Sequence, residues 1–316
     1  MMRRPRERCK ATLWCCGPLG NTVGRAGVGR LVEPTPRVPL SVRFPALYTP
    51  TVWLRRAARW ARWLMDGRTH CRDRSWQPLP FRARTYSSRL IRPHTECPRW
   101  LQENKVTNLD VAMRSLDGVL IAPGEVFSFC RVVGLPTRRR GFVEGLELDR
   151  GRPRPGVGGG ICQLANMIHW LVLHSPLRVL ERSTHSVDPF PDVGRSIPFG
   201  TGASIFYNYV DLVIDNPTTT TFQLLFRRSE AELTGDLRAS DPLDRAYSVF
   251  ERHHAFVREG RDVVRKNEIW RTVRDRRTGA RLTEELVKTN RAVVIYAVDP
   301  ERLTDAARTT LPRRAE

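Results

Sequence analysis

Apolar positions change their spacing repeatedly along the chain, and each change marks an element. Over residues 51–66, Val52, Trp53, Ala57, Trp60, Trp63 and Leu64 recur at helical spacing, with Arg55, Arg56, Arg59 and Arg62 on the other side. Leu109, Ala112, Met113 and Leu116 share a face of a short helix over 108–116, which Asn108 or Thr107 can cap. Residues 119–121 lead to a turn at Pro123-Gly124 and then to an aromatic strand over 126–129. The stretch GRPRPGVGGG (151–160) is expected to hold no regular structure. A strong helix follows over 161–174, and Ser175-Pro176 stops it, because proline disfavours helix in the residue before it.

Beyond that helix the period shortens. Strands are expected over 177–181, 203–214, 221–226, 247–257, 269–275, 282–287 and 292–298. Turn signals stand at Asp215-Asn216-Pro217, Gly235-Asp236 and Thr278-Gly279. Few helices fall between these strands, so the sheet should be mostly antiparallel. The pattern predicts an α+β fold: a mostly antiparallel sheet with one buried helix that carries a cysteine at its N-terminus. Residues 1–50, rich in Pro, Gly and Arg without a sustained period, are expected to be a poorly ordered leader. The expected division is then a helix and linker over 51–78, a folded domain over 79–300 and a tail over 301–316.

Charge sharpens this division. The chain has 53 Lys+Arg against 33 Asp+Glu, a net of +20. Residues 1–100 hold 21 basic and 5 acidic side chains, and the remainder 32 and 28, so a near-neutral block follows a cationic leader. The amphipathic helix over 51–66 has two readings: docked on the domain with its Trp face buried, which is favoured, or lying on an anionic membrane surface. Almost all the basic residues are arginine, which codon bias also produces, so basicity alone does not argue for nucleic acid. No zinc-finger spacing, RNP aromatics or DNA-reading helix accompanies it, and a nucleic-acid partner is not expected.

No apolar run approaches the ~18 residues of a membrane span. Residues 1–10 are charged like the start of a signal peptide, but Gly17, Pro18, Gly20 and Asn21 interrupt the apolar segment that should follow. A cytoplasmic location is expected, with membrane association as the alternative. Seven cysteines, five of them in the first 100 residues, do not read as a disulfide framework. CxxC and HxxxH are absent, and His253-His254 would point to opposite faces of a strand, so no metal and no cofactor is expected.

The chemistry concentrates at Gly158-Gly159-Gly160-Ile161-Cys162-Gln163. Glycines let backbone approach a ligand closely. A cysteine in a first helical turn meets unpaired N–H groups and a partial positive charge, which favour thiolate and can hold an oxyanion. A buried packing cysteine fits the same stretch equally well. His169 lies ~10.5 Å along the helix from Cys162, too far for contact. A strand running back from Pro176 would bring His185 level with Cys162, so His185 is the expected base. Asp188, Asp192, Glu181 and Asn208 are candidates to orient it. Gln163 and Arg195 are candidates to hold a substrate carbonyl or carboxylate.

At these residues the chain resembles the VanW family. The matching stretches are NKVTNL (104–109), IAPGEVFSF (121–129), GGGICQ (158–163), ERSTHS (181–186) and FYNYVDL (206–212). The resemblance implies a role in peptidoglycan metabolism and glycopeptide resistance. Exported members are implicated as L,D-transpeptidases whose GGGxCQ cysteine corresponds to Cys162, with His185 as the following histidine. Gly158, Gly159, Gly160, Gln163 and Arg195 would line the substrate site, and the partner would be a peptidoglycan peptide or precursor. Where exported members carry an acid in a GRDA-like motif, this chain has Gly200-Thr201-Gly202-Ala203. Two functions follow: a cysteine-dependent acyl transferase, or a module that binds cell-wall peptide without reacting.

Overall fold

A computed structural model of the protein describes residues 48–91, 98–149, 152–184, 187–188, 191 and 196–305. The leader up to residue 47, His185, Asp192 and Arg195 lie outside these residues. The described chain is mostly antiparallel β-sheet with a few helices. At its centre is a helix of 12 residues, Cys162–Leu173, apolar on nearly every side and buried along most of its length. The long helix Arg99–Leu116 contributes Leu109, Ala112 and Leu116 to the same core.

A four-stranded sheet covers this helical pair. Strand β1 (Phe81–Arg89) lies at its edge, followed by β10 (Glu232–Ala239), β9 (Phe222–Arg228) and the short β2 (Leu120–Ile121). All its pairings are antiparallel. Phe222, Leu224, Leu233 and Leu237 point inward and bury fully against the helices. A three-stranded sheet, β3 (Val126–Ser128), β8 (Val213–Asp215) and β6 (Arg178–Glu181), closes the opposite flank.

The C-terminal part is a separate five-stranded sheet with three long strands, β11 (Arg245–Glu259), β12 (Asp262–Asp275) and β13 (Arg281–Val294). Two short strands join it in parallel at its edges, β7 (Val187–Asp188) and β14 (Leu303–Asp305). Within this sheet, Asp188 of β7 forms a buried ion pair with Arg265 on the middle long strand at 3.1 Å. The Arg265 guanidinium also lies over the Phe199 ring, 4.4 Å from its centroid. Asn267 donates to the Phe199 carbonyl at 2.8 Å on the same seam.

Several expectations are corrected. GRPRPGVGGG is not irregular throughout: Arg152–Val157 pairs with Glu144–Asp149 as a hairpin, β5 with β4, and only the glycines turn. Residues 203–214 are not one strand. Only Val213–Asp215 pairs, because Asn208 takes φ +58 and Phe206 closes a turn on Val210. Gly235-Asp236 is no turn but the middle of β10, where a Cβ on Gly235 would stand 2.6 Å from the Met167 sulfur. The glycine serves helix–sheet contact. His253 and His254 form a bulge with His253 at φ +52, so both stay exposed instead of alternating.

The helix Tyr48–Met65 docks on the domain, but not by its tryptophans as a group. Arg59 and Trp63 are buried, whereas Trp53, Trp60 and Leu64 face outward. The cause is electrostatic. Arg59 forms a two-point ion pair with Glu181, each N···O at 2.5 Å, and Arg55 donates to the Tyr209 hydroxyl.

Candidate functional site

Cys162 opens the central helix directly behind the three glycines. Gly158 and Gly160 take φ +82 and +92, a backbone that side chains other than glycine resist. Three separate close approaches explain the glycines. The Gly159 backbone packs on that of Gly145, where a Cβ would come within 2.3 Å of a carbonyl oxygen. A Cβ on Gly160 would strike the aliphatic stem of Lys105, and one on Gly158 would strike Pro136.

Asn108 fastens this loop from the side. Its Nδ2 donates to the Gly159 carbonyl at 2.9 Å and to the Val143 carbonyl at 3.0 Å, while its Oδ1 accepts from the Val143 N–H at 2.8 Å. It is fully buried, a mid-helix bridge instead of the expected cap. Asn104, one turn earlier, donates to the Glu144 carbonyl at 2.7 Å. The NKVTNL stretch therefore builds the platform on which GGGICQ sits.

At Cys162 the surroundings favour thiol over thiolate. Burial pushes its pKa up; its own backbone N–H and Lys105 pull in the opposite direction, and Glu147 adds to the rise. Several amides that could hold an oxyanion are already engaged. Those of Gly158 and Gly159 donate to Val143 and Gly156, and those of Gln163 and Leu164 to Gly160 and Ile161. The Gln163 side chain donates to Ser88 Oγ and the Arg89 carbonyl, each at 2.9 Å, so it pins the helix start to β1. Glu147 and Lys105 are the charged neighbours that sequence reading missed. Glu147 lies on the strand Glu144–Asp149, whose partner over 152–157 was expected to be irregular.

One stripe of the central helix carries Cys162, Asn166 and His169, spaced i, i+4, i+7. Residues 200–204 run along it. The Ala203 N–H donates to Asn166 Oδ1 at 2.6 Å, and His169 Nδ1 meets the Thr201 carbonyl at 2.6 Å. Arg182 holds the same segment by donating to the carbonyls of Gly200 and Gly202, at 2.9 and 3.0 Å. Gly202 stands beside Asn166, with room for a Cβ only 3.0 Å from its oxygen. His169 is thus structural, and burial drives its pKa well down so that it stays neutral.

Of the candidates for a third member, Glu181 is bound to Arg59 and Asp188 to Arg265. Asn208 donates to the Arg56 carbonyl at 3.1 Å.

A second polar centre lies where IAPGEVFSF meets FYNYVDL. The buried Asp211 carboxylate accepts from Ser128 Oγ at 2.6 Å, the Cys130 N–H at 2.9 Å and the Leu212 N–H at 2.8 Å. Burial raises its pKa against the pull of these donors. Burial also pushes the Cys130 thiol well up, and the Asp211 charge adds to it. Beside Cys130 is a cavity of about 10 Å³, lined by Phe129, Ile161, Ile205 and Tyr207 among others. It has room for about one water, not for a peptide. This centre locks two segments together.

Residues 104–238 match the model of a family described as VanW like protein. Over 257 residues the chain is 29% identical to the vancomycin B-type resistance protein VanW of Enterococcus faecalis (strain ATCC 700802 / V583), covering 81% of this chain and 94% of that protein. Over 140 residues it is 26% identical to the uncharacterized protein YoaR of Bacillus subtilis (strain 168), covering 43% of this chain and 44% of that protein. No solved structure matches the chain at a significant level.

Proposed function

For a chain that belongs to the VanW-like family through residues 104–238, we propose a role in glycopeptide resistance through peptidoglycan metabolism, with Cys162 as an acyl-transfer nucleophile on cell-wall peptides. One observation carries this reading: Cys162 begins the central helix at the end of a glycine loop that Asn108 holds rigid. In the reaction, the sulfur attacks a peptide carbonyl. The C–S bond forms, the amide C–N bond breaks, and the thiol proton passes through His185 to the departing amine. An acceptor amine then attacks the thioester, the new C–N bond replaces C–S, and the proton returns to sulfur. Because burial keeps the resting thiol protonated, this scheme requires a base, and His185 is assigned that part. Gly160 and Cys162 would steady the oxyanion, and Arg195 the substrate carboxylate.

A second reading rests on the same raised pKa and on the amides already engaged. Here the site holds a cell-wall peptide terminus and does not react. Incubation with peptidoglycan stem peptides and an acceptor amine, followed by mass spectrometry, separates the two. The enzyme reading expects cross-linked product from the native chain and none from a folded Cys162→Ala variant. Equal product from both would overturn it. Saturable peptide binding that survives thiol alkylation, without product, would establish the second reading instead.

A further inference from the structure

We propose that the outward face of the helix Tyr48–Met65 is a docking surface for an anionic lipid bilayer. The helix turns its cationic side inward. Arg55 and Arg56 reach Tyr209 and the Tyr207 carbonyl, Arg59 pairs with Glu181, and Asn208 caps the contact by donating to the Arg56 carbonyl. On the side of the helix turned away from Arg59 runs a broad stripe made of Trp53, Ala57, Trp60 and Leu64, flanked by Leu54, Ala61 and Met65. Nothing in the described protein covers it: Trp53 is 59% exposed, Trp60 52% and Leu64 83%. An ordinary surface helix buries its apolar stripe in the core and leaves its arginines in water. This one buries only Trp63 of its tryptophans, leaves the rest of the stripe in water, and turns Arg55, Arg56 and Arg59 inward with hydrogen bonds that fix its orientation.

Charge identifies the occupant. Arg62 stays exposed on the helix, and the three arginines of the 3-10 turn Arg138–Arg140 are exposed too. Arg56 lies over the Tyr207 ring, Tyr207 shares a cavity lining with Gly134 and Pro136, and Arg140 donates to the Leu135 carbonyl, which places that basic turn at the same end of the molecule. Residues 1–47, which lead directly into the helix, hold 9 basic and 2 acidic side chains. A tryptophan-bearing apolar face inside a cationic rim is the arrangement that partitions into the headgroup layer of anionic lipid. From Trp53 to Met65 the stripe is ~18 Å long, short of the ~30 Å hydrocarbon core. No described helix is long and apolar enough to cross a membrane. The helix would lie on the bilayer and hold the domain against it.

The test is co-sedimentation of the full chain with vesicles of phosphatidylcholine alone or mixed with phosphatidylglycerol, with tryptophan emission recorded. The comparison is a triple variant, Trp53→Ser, Trp60→Ser and Leu64→Ser, whose substituted side chains are exposed and so spare the fold. The expected result is binding to the phosphatidylglycerol vesicles with a blue shift, weakened ~10-fold or more in the variant. Equal binding by both proteins would assign the attraction to charge elsewhere and overturn the proposal. So would native protein that ignores these vesicles, or that self-associates through the face in a way the variant abolishes.

Discussion

Asn108 and Gly159, 51 residues apart in the chain, are joined by a buried hydrogen bond of 2.9 Å from the side-chain amide to the backbone carbonyl. Through it a helix interior dictates the path of the loop that delivers Cys162. Two backbone groups depend on this one amide, the Gly159 carbonyl and the Val143 N–H; the Val143 carbonyl that it also reaches accepts from the Gly158 N–H as well. Asn108→Ala removes it and strands buried donors and acceptors, each costing about 1–3 kcal/mol. The expected loss is ~2–4 kcal/mol in urea unfolding, smaller than the simple sum because the loop relaxes. Alkylation of Cys162 in the native variant should also quicken, since the loop over it loosens. An unchanged unfolding midpoint would show that water replaces the amide without loss.

The three described thiols should label in a fixed order. Cys162 keeps partial exposure, whereas Cys71 and Cys130 are buried. Burial pushes Cys71 up to about 12 and the other two upward from the ordinary thiol range. A raised thiol pKa means that the unfolded chain loses its proton first, so stability falls as pH rises above the unfolded value of ~8.5. Iodoacetamide should therefore reach Cys162 first and only in alkali, with Cys71 and Cys130 reacting on unfolding. Rapid labelling of Cys162 at neutral pH would mean a poised thiolate.

The glycine loop, the helix behind it and its proline stop were legible because their signals are local. Gly158, Gly160 and Pro176 each impose a backbone constraint whatever surrounds them. Gly235 was misread for the opposite reason. Its signal resembles a turn, and only the tertiary contact with Met167 shows why a side chain is missing. The β4–β5 hairpin was hidden by Pro153 and Pro155, which are tolerated because this two-stranded sheet has only edges. Arginine was the other obstacle. Amphipathic patterning assumes that charge faces water, but Glu181, far along the chain, draws Arg59 inward and reverses the helix. The role of Asn108 was likewise invisible, since its partners are backbone atoms that no pattern marks.

Gly235 supplies a clean packing test. It sits in β10 against the central helix, and an added methyl would meet Met167 at 2.6 Å and Leu171 at 3.2 Å. The methionine is flexible and gives way in part, so Gly235→Ala should cost ~1–3 kcal/mol by overpacking. Pairing it with Met167→Ala should recover part of that loss beyond additivity, because the two changes share one space. A double-mutant cycle in urea measures the coupling. Strict additivity would show that the strand moves instead of the side chain.

Acid should weaken the fold before its carboxylates titrate. Burial lowers the His174 pKa to about 4 and drives His169 well down, against the hydrogen bonds each makes to a carbonyl. The unfolded histidine takes up its proton near pH ~6.5, so between that value and 4 the unfolded state binds more protons. Stability is therefore full above pH ~6.5 and declines as pH falls, by ~2 kcal/mol per such histidine at pH 5. Urea midpoints at pH 7 and pH 5 check this. His174→Gln cannot titrate and should show a shallower decline than the native chain, though it starts less stable. The same slope in both would mean that His174 protonates in the folded protein, which would place water beside the far end of the central helix.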